Sequence, residues 1–204
     1  PALGTASNFA VLGGAGVTCT GSAVAGDVGV SPGTSVTGFP PTSALCTLIG
    51  SVHAADAAAT TAFNDFVLAY DALKAMTCNA ANNLTGQPLG GKTLAPGVYC
   101  FNTTADLTTG TLTLDGPSNG VWVFQVGTGI TTGTASVAMI NGGQQSNVFW
   151  QVGTAATIGT DTAFKGNILA GSAITFTGVN SSLVGRALAK TAVTMTGATV
   201  SLGQ

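Results

Sequence analysis

Ile174-Thr175-Phe176-Thr177-Gly178 and Val193-Thr194-Met195-Thr196-Gly197 are two copies of one short phrase in successive units of the chain. Within each copy the apolar side chains fall on alternate positions, with Thr between them. Period-two alternation marks a strand with one buried face. The closing Gly suits a corner, because it adopts backbone angles that other residues avoid. Looser copies lie upstream as Leu107-Thr108-Thr109-Gly110, Ile130-Thr131-Thr132-Gly133 and Thr157-Ile158-Gly159. Each is preceded by an apolar run. The runs start at Val98, Val121, Val148, Ile168 and Ala187, so their spacing tightens toward the C-terminus. A third short segment, such as Ala163-Phe164 or Ser182-Leu183-Val184-Gly185, completes the unit.

Three short strands in about 20 residues, with Gly at corners, is the arithmetic of a β-solenoid. A sandwich or barrel also uses short strands, but neither predicts a Thr-rich segment recurring at one phase. Val17-Thr18-Cys19-Thr20-Gly21 matches the 193–197 phrase position for position, although Thr18 lies far upstream of Thr108. The solenoid is therefore expected to be discontinuous, with one coil supplied from far away in sequence. Between the two parts, Ala59, Phe63, Phe66, Tyr70 and Leu73 recur at helical spacing as one stripe. Asp56 is the expected N-cap and Ser51 the earlier alternative. The expectation is one domain spanning 1–204. It comprises an N-terminal coil over about 1–38, a short cap segment over about 39–55, a helix over about 56–77 and the main solenoid over about 93–204.

Composition narrows the function. Only 6% of the 204 residues are charged, with seven Asp, no Glu, five basic residues and one His, against about 25% charged in an ordinary domain. There is no electrostatic footprint for nucleic acid or an anionic membrane. No apolar run is long enough for a bilayer span. Catalysis at His53 would need a serine elbow that the chain lacks, and a glycosidase pair would have to come from scattered Asp residues, several at turns. No His pair, close Cys pair or Asp-rich loop marks a metal site, so no cofactor and no metal are expected. Four Cys fit two disulfides in an oxidising compartment. Pairing Cys46 with Cys78 would span the helix, so Cys19–Cys46 and Cys78–Cys100 are favoured; a buried free thiol at Cys19 is the alternative.

The excess is in Thr and in Gly, which alone numbers 30. The Thr phrase extends backwards as Thr128-Gly129-Ile130-Thr131, Thr154-Ala155-Ala156-Thr157, Ser172-Ala173-Ile174-Thr175 and Thr191-Ala192-Val193-Thr194, while Ala15-Gly16-Val17-Thr18 keeps its end. Thr is at home on strands, but that preference alone predicts Thr mixed with charged residues on a solvated face. Here the only nearby charges are Asp106 and Lys190. A flat, uncharged face of β-branched Thr, stiff at χ1 and repeating every ~4.8 Å between coils, holds hydroxyls and methyls where they can order water.

These residues resemble the ice-binding proteins that have a discontinuous β-solenoid and a flanking helix. Leu3-Gly4-Thr5-Ala6-Ser7-Asn8-Phe9-Ala10-Val11-Leu12 looks like the family's N-terminal signature. Gly26-Asp27-Val28-Gly29-Val30-Ser31-Pro32, Leu94-Ala95-Pro96-Gly97-Val98-Tyr99, Asn147-Val148-Phe149-Trp150-Gln151-Val152 and Gly185-Arg186-Ala187-Leu188-Ala189 are similar to later blocks, in order along the whole chain. The resemblance implies a mostly β, right-handed solenoid of triangular section with one long helix alongside. It also implies ice binding through a Thr-Ala/Gly-x-Thr/Asn face, with no enzymatic activity. The ice-binding residues are then Thr18, Thr20, Thr108, Thr128, Thr131, Thr154, Thr157, Ser172, Thr175, Thr177, Thr191, Thr194 and Thr196. The array is imperfect, since Gly133 and Gly159 stand where a second outward Thr belongs. The expected partner is the surface of an ice crystal, with thermal hysteresis and inhibition of recrystallisation as results. A secreted monomer is expected; Pro1-Ala2-Leu3-Gly4 shows no signal peptide, as a mature secreted chain would look after processing. The alternative is a secreted adhesin or carbohydrate-binding solenoid, which would stack sugars on exposed aromatics, whereas the two Trp, Trp122 and Trp150, lie in apolar strand runs expected to be buried.

Overall fold

The computed structural model describes residues 1–203; Gln204, the last position of the expected main solenoid, lies outside the described residues. Its 19 strands form one continuous parallel sheet wound into a triangular solenoid. Each coil passes through three faces. The helix-side face stacks Gly97–Phe101, Trp122–Val126 and Val148–Val152, then the second halves of Ala163–Ala170 and Ser181–Ala189, then Phe9–Gly13, Asp27–Val30 and Val52–Ala54. The threonine face stacks the first halves of Ala105–Asp115 and Ile130–Ile140, then Ala156–Ile158, Ile174–Phe176, Ala192–Thr196, Gly16–Thr20 and Ser35–Thr37. The third face carries Thr93–Leu94, the second halves of the two long strands, the first halves of Ala163–Ala170 and Ser181–Ala189, and then Ala198–Ser201, Ala23–Ala25 and Thr47–Ile49.

The chain's two ends meet in the middle of the stack. Val11, Leu12 and Gly13 pair with Ala187, Leu188 and Ala189, and Gly16–Thr20 pairs in register with Ala192–Thr196. The N-terminal part supplies two full coils and an edge strand, more than the single coil expected. The stretch 39–55, expected as a cap, contributes the strands Thr47–Ile49 and Val52–Ala54 to the ladders. Only the loop before Thr47 leaves the coil. It buries Phe39 against the core, and the Cys19–Cys46 disulfide ties it down. This bond removes the free-thiol reading of Cys19. At the other end, isolated bridges Asn83↔Cys100 and Pro88↔Asp106 begin a degenerate coil before Thr93.

Inward positions fill the core with one aromatic column. Tyr99 stacks on Phe124 at 5.6 Å, Phe124 on Trp150 at 3.9 Å, and Trp150 tilts against Phe164 at 4.9 Å. Where Ala163–Ala170 and Ser181–Ala189 turn from the third face to the helix-side face, Gly166 (φ 110°) and Gly185 (φ 149°) are stacked. A Cβ on Gly185 would run into the Gly166 carbonyl, so this corner needs both the angle and the missing side chain.

The helix, α1 (Ala57–Lys74), lies on the face whose outward residues are apolar: Val123, Phe149, Leu169, Leu188 and Leu12 pack with Phe66, Tyr70 and Leu73. Its 18 residues span about 27 Å at ~1.5 Å each. That matches the six coil spacings, about 29 Å at ~4.8 Å, between the Val52–Ala54 and Trp122–Val126 strands that bracket the helix. Asp56 caps the N-terminus by accepting from the Ala59 amide at 2.8 Å. The helix stops at Lys74 rather than near Thr77. Gln125 Nε2 donates to the Leu73 and Met76 carbonyls at 2.7 Å each, and the Cys78–Cys100 bond turns the chain into the solenoid.

Two carboxylates fasten α1. Asp65 Oδ2 accepts from the Thr5 hydroxyl and amide, both at 2.7 Å, and these bonds lower its pKa. The Ala59 amide, then His53, lower that of Asp56. A carboxylate with a depressed folded pKa stabilises the fold above its unfolded value of about 3.9 and loses that contribution as pH falls through the folded value. Thermal melts should therefore hold steady from neutral pH to about 5 and fall below about 4. Asp65→Asn should melt lower than the parent at neutral pH and converge with it in acid. A constant gap between the two at every pH would contradict this role for Asp65.

Candidate functional site

The threonine face is built from a simple register. Its central outward row runs Asp106, Thr131, Thr157, Thr175, Thr194, Thr18 and Thr37, each paired with the next across the ladder. Beneath it the inward positions Ile130, Ala156, Ile174, Val193 and Val17 are fully buried. A β-branched side chain above a packed strand has little rotamer freedom, so the row is stiff. Three positions earlier in each coil, backbone hydrogen bonds align a second row: Thr103, Thr128, Thr154, Ser172, Thr191 and Ala15. Between the rows stand the small residues Gly129, Ala155, Ala173, Ala192 and Gly16, which keep the surface flat.

A third row, two positions after the central one, is interrupted. It reads Thr108, Gly133, Gly159, Thr177, Thr196 and Thr20. A Cβ on Gly133 would meet the Thr108 carbonyl, and one on Gly159 the Thr132 carbonyl. At these coils the inward position is itself polar. Buried Thr132 shares a hydrogen bond with buried Thr162 at 2.9 Å and accepts from the Gly159 amide at 3.0 Å, while the Thr162 hydroxyl donates to the Gly133 carbonyl. The close approach of the neighbouring strand's carbonyls leaves no room for a side chain at either glycine. Every residue expected to form the site, from Thr18 to Thr196, lies on this face.

Thr34, Thr37 and Thr103 were not among the expected residues and extend the rows. Thr34-Ser35-Val36-Thr37 is a further copy of the phrase with Ser in the Ala/Gly place, and Thr103-Thr104-Ala105-Asp106 is another that ends in Asp. A search tolerant of those changes would have found both.

The charges around the face are drawn away from it. Lys190, next to Thr191, reaches across to α1, where Nζ lies 3.4 Å from Asp71 Oδ1 and 4.0 Å above the Tyr70 ring. Arg186 donates to the Ser7 carbonyl through Nε at 2.9 Å and Nη2 at 2.7 Å, and to Asn167 Oδ1 at 2.9 Å. Burial lowers its pKa. Asp106 is the single carboxylate on the rows.

Other chemistries find little support. Trp122 and Trp150 are fully buried, and their indole N–H groups donate to the Leu94 and Lys165 carbonyls at 3.0 and 3.1 Å. Neither can stack on a sugar. Among the described residues no three His, Cys, Asp or Glu side chains converge as a metal site, and no helix is long and apolar enough to cross a membrane.

Comparison with known proteins places the geometry in context. A family model described as Ice-binding-like matches residues 11–201. An ice-binding protein of Nostoc sp. (strain HG1) is 48% identical over 182 residues, covering 87% of this chain and 65% of the relative. One from Flavobacterium frigoris (strain PS1) is 37% identical over 185 residues, covering 84% and 66%. The chain thus spans about two thirds of the length of these relatives. Among solved structures, an ice-binding protein from an Antarctic biological consortium superposes with a TM-score of 0.91 at 40% identity, covering 98% of this chain and 90% of that one. The ice-binding protein of the Antarctic ascomycete Antarctomyces psychrotrophicus gives 0.88 at 36% identity, covering 100% and 98%.

Proposed function

Because the chain belongs to the ice-binding family, whose members are not enzymes, we propose that it adsorbs to ice through the threonine face. The observation that carries this reading is the central row, in which six Thr from Thr131 to Thr37 follow one another in ladder register. Their hydroxyls and methyls repeat every ~4.8 Å. Hydroxyls anchor a layer of water and methyls cage it, so an ordered layer on the protein merges with the crystal. A charged face would impose its own hydration shell instead. Bound molecules pin the growing front, which must curve between them, giving thermal hysteresis and slowing recrystallisation.

The residues that meet ice are Thr18, Thr20, Thr108, Thr128, Thr131, Thr154, Thr157, Ser172, Thr175, Thr177, Thr191, Thr194 and Thr196, with Thr34, Thr37 and Thr103 extending the rows. The protein acts as a secreted monomer without nucleic-acid or membrane partners. Two disulfides suit an oxidising compartment, and the low charge offers nothing to a polyanion. The test is crystal growth in a nanolitre droplet of the purified chain just below the melting point. Faceted or abruptly bursting crystals are expected. Round discs, as in buffer, would overturn the reading.

A further inference from the structure

One corner of the solenoid places a strongly hydrated charge at the margin of the threonine face. The turn from the helix-side face to the threonine face stacks Asn102, Gly127, Gly153, Gly171, Lys190 and Gly14 in successive coils. Glycine dominates because the coils approach closely here. A Cβ on Gly153 would meet the Gly127 carbonyl, and one on Gly14 the Lys190 carbonyl. Lys190 is the only charged member of this column. The next residue, Thr191, belongs to the second row of the threonine face, where its amide donates to the Ser172 carbonyl. The lysine side chain is long and flexible, so its ammonium has two neighbours to choose from, the edge of that row and α1.

The helix decides between them. Tyr70 is buried against the same corner, with its hydroxyl 3.4 Å from the Val152 carbonyl. Its ring is the bed on which Lys190 lies, with Nζ 4.0 Å from the centroid, and a ring face attracts a cation. Asp71, the next residue along α1, supplies the opposite charge at 3.4 Å. The side chains of Lys190 and Asp71 are 29% and 63% exposed, and a pair so open to solvent contributes little to stability. Nor does α1 depend on it, since Phe66 and Leu73 pack into the apolar face and Asp65 holds Thr5. What the pair fixes is the location of one ammonium. That group is a compact, strongly hydrated point charge. Over Thr191 and Ser172 it would carry its own water shell onto a surface whose hydroxyls and methyls must set the order of water.

We propose that Asp71 is a positioning residue for ice adsorption: with Tyr70 it holds the Lys190 ammonium on the helix side of the corner and keeps its hydration shell off the second threonine row. This role rests on ice adsorption through the threonine face. The test measures thermal hysteresis of the full chain in Asp71→Asn, in Lys190→Gln and in the two combined. Both single changes break the same ion pair, so both should cost a similar, small drop in melting temperature. Only Asp71→Asn leaves a loose ammonium beside Thr191. It should lower hysteresis about twofold, the scale on which an exposed ion pair biases its partners. Lys190→Gln and the double variant should match the parent. A folded Asp71→Asn with parental hysteresis would overturn the role. So would equal losses in Asp71→Asn and the double variant, because the fastening of α1 and not the loose charge would then be what matters. Thr194→Tyr is the reference: if it loses hysteresis while Asp71→Asn does not, the positioning role alone fails, whereas a parent without hysteresis removes the face itself.

Discussion

Replacing Thr194 by Tyr should lower thermal hysteresis about tenfold while leaving the fold intact, since contact energy concentrates at the centre of an interface. Thr194 sits mid-row between Thr175 and Thr18, over the fully buried Val193 and Met195. Its side chain points outward, so a larger one disturbs no core packing. A phenol ring at this point stands proud of a flat surface and holds the flanking Thr away from the crystal. Thr199→Tyr is the control, because Thr199 is exposed on the third face, in the Ala198–Ser201 strand. It should keep full activity. Circular dichroism and melting temperature would show both variants folded. If folded Thr194→Tyr retains the parental hysteresis, or Thr199→Tyr loses as much, ice does not meet this face.

The largest loss of stability is expected at Trp150. It is fully buried, sandwiched between Phe124 and Phe164, and its indole N–H satisfies the Lys165 carbonyl. Truncating a buried aromatic to Ala costs about 3–5 kcal/mol through lost burial and a residual cavity. The orphaned carbonyl adds to that unless water reaches it. For a chain of this size each kcal/mol moves the melting temperature by about 2–4 °C, so Trp150→Ala should melt about 6–20 °C below the parent. Trp150→Phe, which keeps most of the stack, should lose much less. A shift of under about 3 °C for the Ala variant would mean that the column is not what holds the coils in register.

Much of this was legible in local sequence for a physical reason. Period-two alternation in 174–177 and 193–196 dictates which side chains point inward, whatever strand lies alongside. The apolar stripe from Ala59 to Leu73 dictates a helix with one buried side. Its end was less legible, because the group that caps its last carbonyls, Gln125, comes from a strand far along the chain. The interruptions at Gly133 and Gly159 could be seen as departures from the phrase. What requires them is the close approach of a carbonyl on the adjacent coil, Thr108 to Gly133 and Thr132 to Gly159. The stretch after Thr37 read as a cap because its strands are very short and carry little alternation.

By itself the sequence determined the strand phase, the corners, the helix stripe and an outward set of Thr almost free of charge. Only the tertiary structure decided that these Thr form one continuous row. Thr194 and Thr18 are neighbours because the Ala192–Thr196 strand pairs with Gly16–Thr20, and α1 carries the chain back along the stack so that the main solenoid can build towards the N-terminal coils. Lys190 leaves the face only because Asp71 and Tyr70 lie within its reach. Local alternation specifies a side chain's direction. Which strands become neighbours is set by hydrogen bonding and core packing between residues far apart in the chain.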